Sequence, residues 1–282
     1  MPRQTHLLAA AALALLGTAA TAHAVPATGI AGGNTLFSFD TITPGAVSGQ
    51  RAITGLQGGE TLYGIDFRPA NAALYGLGTT GRLYTVDTGT GSATLAPTLN
   101  VPLSGGAFDI AFNPVVDRLR VVSSTGQNLR INVDTGAVTV DTPLAYASGG
   151  ATPGVLGVAY TNQVGGTVAT TVLFDIDTAN GLLDTQAPPN DGTLNAVGQL
   201  GVAGLTSFDI DGVGNTAYAA SNTSFYTVNL ATGAASLVGA FGVGNVTDFA
   251  ITQVPEPMSL ALLGIGLTGM ATLRRRQSIP SR

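Results

Sequence analysis

The stretch that decides the fold is YGIDFRPANAALYGLGTTGRLYTVDTGTGSAT, residues 63–94, because three later stretches follow the same pattern. They are FDIAFNPVVDRLRVVSSTGQNLRINVDTGAVT at 108–139, LGVAYTNQVGGTVATTVLFDIDTANGLL at 156–183 and FDIDGVGNTAYAASNTSFYTVNLATGAAS at 208–236. Each stretch joins short β-rich runs through turns that contain Pro, Asn or Gly. Ile65, Ile110, Val158 and Ile210 occupy matching positions, so the repeat length is about 45 to 52 residues.

A repeat of this length with four strands is typical of a propeller blade. The runs are rich in Val, Ile, Thr, Tyr and Phe, which favour strands. The two ends of the repeat region complete a fifth unit. VTDFAITQ (246–253) resembles a first strand, and ATGIAGGNTLFSFDTITPGAVS (27–48) resembles strands two to four. The sequence therefore predicts an all-β propeller of about five four-stranded blades, the last closed by N- and C-terminal strands.

Two other architectures fit the same pattern less well. Six blades would require a hidden unit in the longer third repeat, where we interpret DTQAPPNDGTLNAVGQLG (184–201) as an extended loop. An open β-sandwich or a solenoid is the other alternative, since strand signals in a sequence are weak.

Residues 1–24 have the pattern of a secretory signal peptide. Arg3 and His6 precede an apolar run at residues 7–16, and Ala22-His23-Ala24 forms an A-x-A cleavage site. We expect signal peptidase to cleave after Ala24, which makes residues 25–253 the exported repeat domain.

The composition of residues 25–253 excludes several functions. This stretch has no Lys, Cys or His, and its six arginines and fifteen carboxylates give a net charge of about −9. Nucleic acid is therefore an unsuitable partner, because phosphate binding requires basic surface. Catalysis by Ser-His-Asp or Cys-His groups is excluded, and so are zinc sites built on His or Cys.

The C-terminal residues 254–282 combine a Pro-Glu-Pro segment, an apolar run and a basic cluster. The apolar residues 258–273 would span about 24 Å as a helix, slightly less than a bilayer core. Arginines after such a helix stay cytoplasmic, which leaves the acidic repeat domain outside. The motif residues are Pro255, Glu256, Pro257, Arg274, Arg275 and Arg276.

This arrangement resembles the PEP-CTERM sorting signal of Gram-negative bacteria. The resemblance implies a transient inner-membrane anchor, cleavage near Pro255–Pro257 by an exosortase, and transfer to the cell surface or the medium. It also implies a link with exopolysaccharide and biofilm matrix. A plain C-terminal membrane anchor is the alternative.

The repeat domain also resembles a family. LYGIDFRPANAALYGLGTTGRLYTVDTGTG (62–91) and AFDIAFNPVVDRLRVVSSTGQNLRINVDTGA (107–137) resemble the bacterial domain-of-unknown-function family 4394, over most of residues 36–252. That family has no established activity, so the resemblance implies one exported repeat domain and no particular chemistry.

The second repeat has arginines where the first and fourth have tyrosines. Strand alternation places Arg118 and Arg120 on one face, with Arg130 on a neighbouring strand. Guanidinium groups there could bind a carboxylate, uronate or sulfate group. The alternative is an Arg–Asp network that joins adjacent blades. The polar residues close by in sequence are Asp109, Asn113 and Asp117.

Three carboxylates share one position at the start of the first strand of a repeat: Asp109, Asp209 and Asp248. First strands line the channel of a propeller, so these groups could bind calcium or act as an acid–base pair. Alternatively, each could accept backbone N–H bonds. Asp209, Asp211 and Asn215 in DIDGVGN partly match a calcium loop, although a hairpin turn explains the segment equally well.

From these patterns we predict an exported, non-enzymatic binding or structural module at the cell surface or in the extracellular matrix. No cofactor is predicted apart from calcium as a possibility at the sites above. The alternative is a glycan hydrolase or lyase that uses aspartates as acid and base.

Overall fold

The computed structural model describes residues 24–252, which form a series of short strands. In chain order these are β1 Pro26–Ala31, β2 Thr35–Asp40, β3 Thr43–Ala52, β4 Leu62–Phe67, β5 Leu74–Gly78, β6 Leu83–Val86, β7 Ala93–Leu95, β8 Phe108–Asn113, β9 Arg118–Ser123, β10 Asn128–Asn132, β11 Ala137–Val140, β12 Ala145–Tyr146, β13 Val155–Tyr160, β14 Leu173–Asp177, β15 Leu182–Gln186, β16 Thr193–Gln199, β17 Ser207–Ile210, β18 Ala217–Ala220, β19 Ser224–Val228, β20 Ala235–Ala240 and β21 Val246–Ile251. A 3-10 helix spans Pro189–Asp191.

The strands form five antiparallel sheets, so the predicted five-bladed propeller is confirmed. We number the blades along the chain: blade 1 is β4–β7, blade 2 is β8–β11, blade 3 is β13–β16, blade 4 is β17–β20, and blade 5 is β21 with β1–β3. Blade 3 has an extra short strand, since β12 pairs in parallel with β16. The first strand of each blade lies at the centre of the ring, beside the first strands of its neighbours.

Blade 5 closes the ring by joining the two ends of the described chain, as predicted. β21 pairs antiparallel with β1, with Gly29 opposite Phe249, and β1 pairs with β2, with Gly29 opposite Phe37. A Cβ atom at Gly29 would collide with the Phe37 ring, so glycine is what lets that ring lie flat over β1. The closure removes two sheet edges that would otherwise be open to other chains.

The third repeat corrects one sequence-based interpretation. Residues 184–201 are not an extended loop, because they contain the end of β15, the 3-10 helix and all of β16. The two prolines that suggested a loop begin the helix, and Gly192 at φ 65° turns the chain back into β16. The extra residues of the third repeat therefore belong to blade 3, and residues 24–252 form no sixth blade.

The core consists of apolar side chains packed between neighbouring blades. Four of the five interfaces contain clusters of eleven or twelve buried apolar residues. The interface of blades 2 and 3 has only eight. Seven buried polar side chains occupy the remaining space there. They are Arg120, Asn128, Asp141, Asp175, Asp177, Asp184 and Gln186.

Candidate functional site

The arginines of the second repeat meet at the interface of blades 2 and 3. Arg120 on β9 and Arg130 on β10 are directly opposite each other in the antiparallel register. Arg120 is almost completely buried, whereas 31% of the Arg130 side chain is exposed. Like charges in opposed positions repel each other, so this pair requires a compensating anion.

Asp141 supplies that anion. Its Oδ2 accepts a hydrogen bond from Nη1 of Arg120 at 2.6 Å and another from Nε of Arg130 at 2.6 Å. Its Oδ1 accepts from Nη2 of Arg130 at 2.9 Å. Burial alone would raise the pKa of Asp141, but the hydrogen bonds from Arg130 and Arg120 outweigh burial and lower it. Asp141 therefore carries its negative charge at neutral pH, between two guanidinium groups.

The other contacts of Arg120 hold it in place and connect the two blades. Its Nη1 donates to Oδ1 of Asn128 at 2.7 Å within blade 2. Across the interface, its Nη2 donates to Oδ1 of Asn190 at 3.0 Å, and its Nε lies 3.4 Å from the hydroxyl of Tyr160. Arg120 is thus a member of an Arg–Asp network, in which Asn190 and Tyr160 make the link between blades.

A cavity of about 360 Å³ opens beside this network. Arg118 lies at its wall and donates to the carbonyl groups of Val116 and Asp117, but it forms no ion pair within residues 24–252. The lining contains three guanidinium groups and no carboxylate. The lining residues are Asn113, Val116, Arg118, Arg120, Arg130, Tyr160, Pro189 and Asn190.

The structure brings Asn113 to this cavity but places Asp117 elsewhere. Oδ1 of Asn113 accepts from the backbone N–H of Val115 at 2.9 Å, so the side chain also shapes the loop after β8. Both oxygens of Asp117 bind the Arg68 guanidinium of blade 1, at 2.8 and 2.5 Å. Asp117 therefore links blades 1 and 2 and is not a wall of the cavity.

The remaining predicted carboxylates, Asp109, Asp209 and Asp248, lie on first strands as expected and are buried at the centre of the ring. Each accepts a backbone N–H from the first strand of the next blade. Asp109 binds Val158 at 2.8 Å, Asp209 binds Ile251 at 2.6 Å, and Asp248 binds Ile65 at 2.6 Å. These carboxylates satisfy edge-strand donors that would otherwise be unpaired.

Asp66 of blade 1 joins the same ring, although sequence comparison did not single it out. It accepts from the backbone N–H of Phe112 in blade 2 at 2.6 Å. It lies two residues after Gly64, the blade 1 counterpart of Asp109, so alternation places it on the same face. A Cβ atom at Gly64 would lie 3.2 Å from oxygens of both Asp109 and Asp248, which leaves little room for a carboxylate at that position.

Burial perturbs all four of these carboxyl groups. Desolvation raises the pKa of Asp209 and of Asp248 to about 7. The pKa values of Asp66 and Asp109 are raised well above the ordinary range, first by burial and then by the charges of neighbouring aspartates. We call these four residues the channel aspartates.

The residues of the partial calcium loop, Asp209, Asp211 and Asn215, bind different partners. Asp211 accepts from the backbone N–H of Gly214 at 2.9 Å, as expected of a hairpin turn. The Asn215 side chain exchanges hydrogen bonds with Asn162 of blade 3. Within residues 24–252 no three or more His, Cys, Asp or Glu side chains cluster at metal-ligand spacing. Calcium at this turn stays a prediction.

Sequence reasoning missed several residues that complete the site, namely Asp141, Tyr160 and Asn190. Asp141 follows β11, eleven residues after Arg130, and Asn190 lies in the 3-10 helix, sixty residues after it. A second signal was present: Asp175, Asp177 and Asp184 occupy alternate positions in strands where apolar residues would be expected, which indicates a polar interface.

The comparison with protein families identifies the chain. The model of the family described as domain of unknown function DUF4394 matches residues 35–250. The chain belongs to this family. The PEP-CTERM protein-sorting motif matches residues 253–276, so this DUF4394 protein is an exported protein directed to the cell surface and processed by an exosortase. No curated protein sequence matches it.

Solved structures that resemble this DUF4394 chain include the following three, each with a TM-score below 0.5. A chain of the nidogen/laminin complex has a TM-score of 0.49 and 10% identity, covering 83% of this chain and 100% of that one. An auxiliary nutrient binding protein from Bacteroides thetaiotaomicron has a TM-score of 0.42 and 14% identity, and the match covers 66% of this chain and 53% of that one. YCF48 bound to D1 peptide has a TM-score of 0.38 and 8% identity, and the match covers 73% of this chain and 60% of that one.

The predicted processing signals lie mostly outside the described residues. Ala22, the Pro255–Pro257 segment, the apolar residues 258–273 and the three arginines fall beyond residues 24–252. Within that range, no helix has the length and apolar character needed to cross a membrane.

Proposed function

We propose that this DUF4394 protein is an extracellular binding module whose cavity between blades 2 and 3 holds an acidic group of a glycan. The observation that carries the proposal is the lining of that cavity: three guanidiniums and no carboxylate, in a domain with a net charge of about −9. A uronate or sulfate group matches the planar donor geometry of arginine.

The three arginines would contribute in different ways. Asp141 and Asn190 hold Arg120 in a fixed position, so it supplies positive charge without reorganisation. Arg118 has no anionic partner within 4 Å in the described chain, which leaves its outer N–H groups for a ligand. Arg130 is partly exposed and could turn its free edge to the same group.

The location supports the same function. Exosortase processing directs the protein to the cell surface, where acidic exopolysaccharide is the partner that fits this cavity. We propose that the protein leaves its membrane anchor after cleavage and serves in the biofilm matrix. A rigid ring with a basic cavity suits a module that attaches to a polymer.

The glycan hydrolase or lyase has weaker support. Hydrolysis by the usual mechanism requires two carboxyl groups on either side of one bond. The basic cavity has none, and a second, shallower cavity of about 510 Å³ on blade 1 has only Asp87. The channel aspartates are buried and accept backbone hydrogen bonds, so a substrate would have to displace those bonds.

A binding measurement with a matched pair of variants tests the proposal. We expect the full-length protein to bind polygalacturonate, a uronate polymer, and not a neutral glucan. Arg118→Gln should weaken binding about 10- to 100-fold, the loss expected for one charge-assisted hydrogen bond. Arg51→Gln is the control, because Arg51 also donates only to carbonyl oxygens and lies outside the cavity.

Calorimetric titration at low and high salt would separate the outcomes. Binding through the arginines should weaken as salt is added. Equal affinity of the two variants, or equal affinity for the acidic and neutral polymers, would contradict the proposal.

A further inference from the structure

An unusual group of buried oxygen atoms lies on the face of blade 3 that packs against blade 2. Asp175 on β14 and Asp184 on β15 are directly opposite each other in the antiparallel register. Both side chains are completely buried. Neither oxygen of Asp175 has a hydrogen-bond partner within residues 24–252, and Oδ1 of Asp184 has none. Two opposed carboxylates in such a place repel each other unless a positive charge lies near both or they share a proton.

Gln186 adds an independent observation. It follows Asp184 by two residues on β15, so both side chains lie on the same face. Its Nε2 donates to the carbonyl of Pro189 at 2.5 Å, but its Oε1 has no partner and the residue is only 1% exposed. Four buried, unpartnered oxygens thus occupy one patch, and each accepts hydrogen bonds without donating any. Such acceptors are costly to bury unless water or a cation satisfies them.

The neighbouring side chains leave this group without a donor. The Tyr146 hydroxyl lies 2.6 Å from Oδ2 of Asp177 and 3.0 Å from Oδ2 of Asp184, so it contacts none of the four unpartnered oxygens. Arg120 is close enough for its charge to act on Asp175, but its hydrogen bonds go to Asn128, Asp141, Tyr160 and Asn190.

The charges of the whole interface do not balance. Four carboxylates face three guanidiniums, which leaves a formal charge of −1 when all are ionised. The groups are Asp141, Asp175, Asp177, Asp184, Arg118, Arg120 and Arg130. A bound cation would offset this negative charge.

We propose that Asp175, Asp184 and Gln186 bind one Ca²⁺ ion on β14 and β15, at the face of blade 3 that packs against blade 2. A set of ligands made only of carboxylate and carbonyl oxygens is the type that Ca²⁺ prefers, and water completes its coordination in many proteins. The set contains two carboxylates and an amide, which agrees with the absence of a three-carboxylate cluster in the described chain. The ion would hold β14 and β15 together independently of any glycan in the cavity.

Thermal unfolding of the full-length protein tests this inference. After treatment with EDTA, added Ca²⁺ should raise the Tm by about 5–10 °C when its concentration is one hundred times the Kd. Extracellular modules bind Ca²⁺ with a Kd of about 0.1–1 mM, so titration to about 10–100 mM is needed. A Tm that does not respond to Ca²⁺ would overturn the proposal and leave water or a shared proton as the partner of these oxygens.

A pair of variants locates the ion. Asp175→Asn should abolish the Ca²⁺ shift and raise the Tm measured in EDTA, because it removes a buried charge. Asp211→Asn is the control and should keep the shift. Loss of the shift in Asp211→Asn alone would place the ion at the turn after β17 and refute the site in blade 3.

A spectroscopic measurement keeps the proposal testable if Asp175→Asn does not fold. Tb³⁺ replaces Ca²⁺ at oxygen sites and emits when a nearby tyrosine is excited, and Tyr146 contacts Asp184 directly. Wild-type protein should show this emission, Ca²⁺ should compete it away, and Tyr146→Phe should reduce it several-fold. Emission that is unchanged in Tyr146→Phe would argue against the site.

Discussion

Mild acid should stabilise the propeller, and replacing Asp248 with Asn should remove part of this effect. Asp248 is buried at the centre of the ring, and burial raises its pKa from 3.8 to about 7. The folded state therefore binds this proton more tightly than the unfolded state does. Stability from this group is fully present below about pH 4 and is lost as the pH rises through about 7.

The size of the effect follows from the shift. About three pKa units correspond to about 4 kcal/mol in total, at 1.36 kcal/mol per unit. The part lost between pH 5 and pH 8 is about 3 kcal/mol for Asp248 alone. Asp209, with its pKa also near 7, changes in the same direction. Residues 25–253 contain no His that could oppose the trend.

Asp248→Asn is a conservative change at this position. The amide oxygen can still accept the backbone N–H of Ile65, and the amide nitrogen can donate to the hydroxyl of Ser207, which now donates to Asp248. We expect the variant to be more stable than wild type at pH 8 and to depend less on pH between 5 and 8. Asp191→Asn, at an exposed position, is the control and should follow wild type.

Urea unfolding in EDTA, followed by tyrosine fluorescence because the chain has no Trp, would measure these free energies. A wild-type unfolding free energy that stays level or increases from pH 5 to pH 8 would refute the reasoning. So would an Asp248→Asn variant whose pH dependence equals that of wild type, since the buried carboxyl would then not be the group that titrates.

Two further predictions concern the blade interfaces. Asp141→Ala should lower the unfolding free energy by about 3–5 kcal/mol, because it leaves the buried Arg120 without its anion. Asp134 also pairs with an arginine, Arg68, but its side chain is 61% exposed. Asp134→Ala should therefore lower the unfolding free energy by less than about 1 kcal/mol in the same urea assay. Equal losses of unfolding free energy in Asp141→Ala and Asp134→Ala would contradict this account. Deleting the chain from residue 246 onward removes β21 and exposes an edge of β1, so this variant should aggregate. Light scattering measures the aggregation, and a deletion from residue 253, which keeps β21, is the control and should not aggregate. Equal scattering from the two deletions would count against closure of the ring by β21.

The candidate site was only partly predictable. Alternation along β9 and β10 was enough to place Arg118, Arg120 and Arg130 near one another, because neighbours in a hairpin are close in sequence. The anion that holds two of them, Asp141, and the cross-blade partner Asn190 could not be assigned from the sequence. Asp141 lies in the same blade as the arginines, but Asp117 and Asp134 are as close to them in sequence and bind Arg68 instead. The contact of Asn190 depends on how blades 2 and 3 pack, and no local pattern encodes that packing.

The sequence by itself predicted a propeller of about five blades, its closing strand and the family, because repeats and period-two alternation can be recognised without a structure. The structure decided between five blades and six. The sequence also determined which chemistries are absent, since a residue that a segment lacks cannot act there. Only the tertiary structure decided what each carboxylate does. Asp109 and Asp117 are eight residues apart, yet one binds backbone groups in the channel and the other binds Arg68 of blade 1. Burial and partners from distant parts of the chain set those roles, and both arise only when the ring closes.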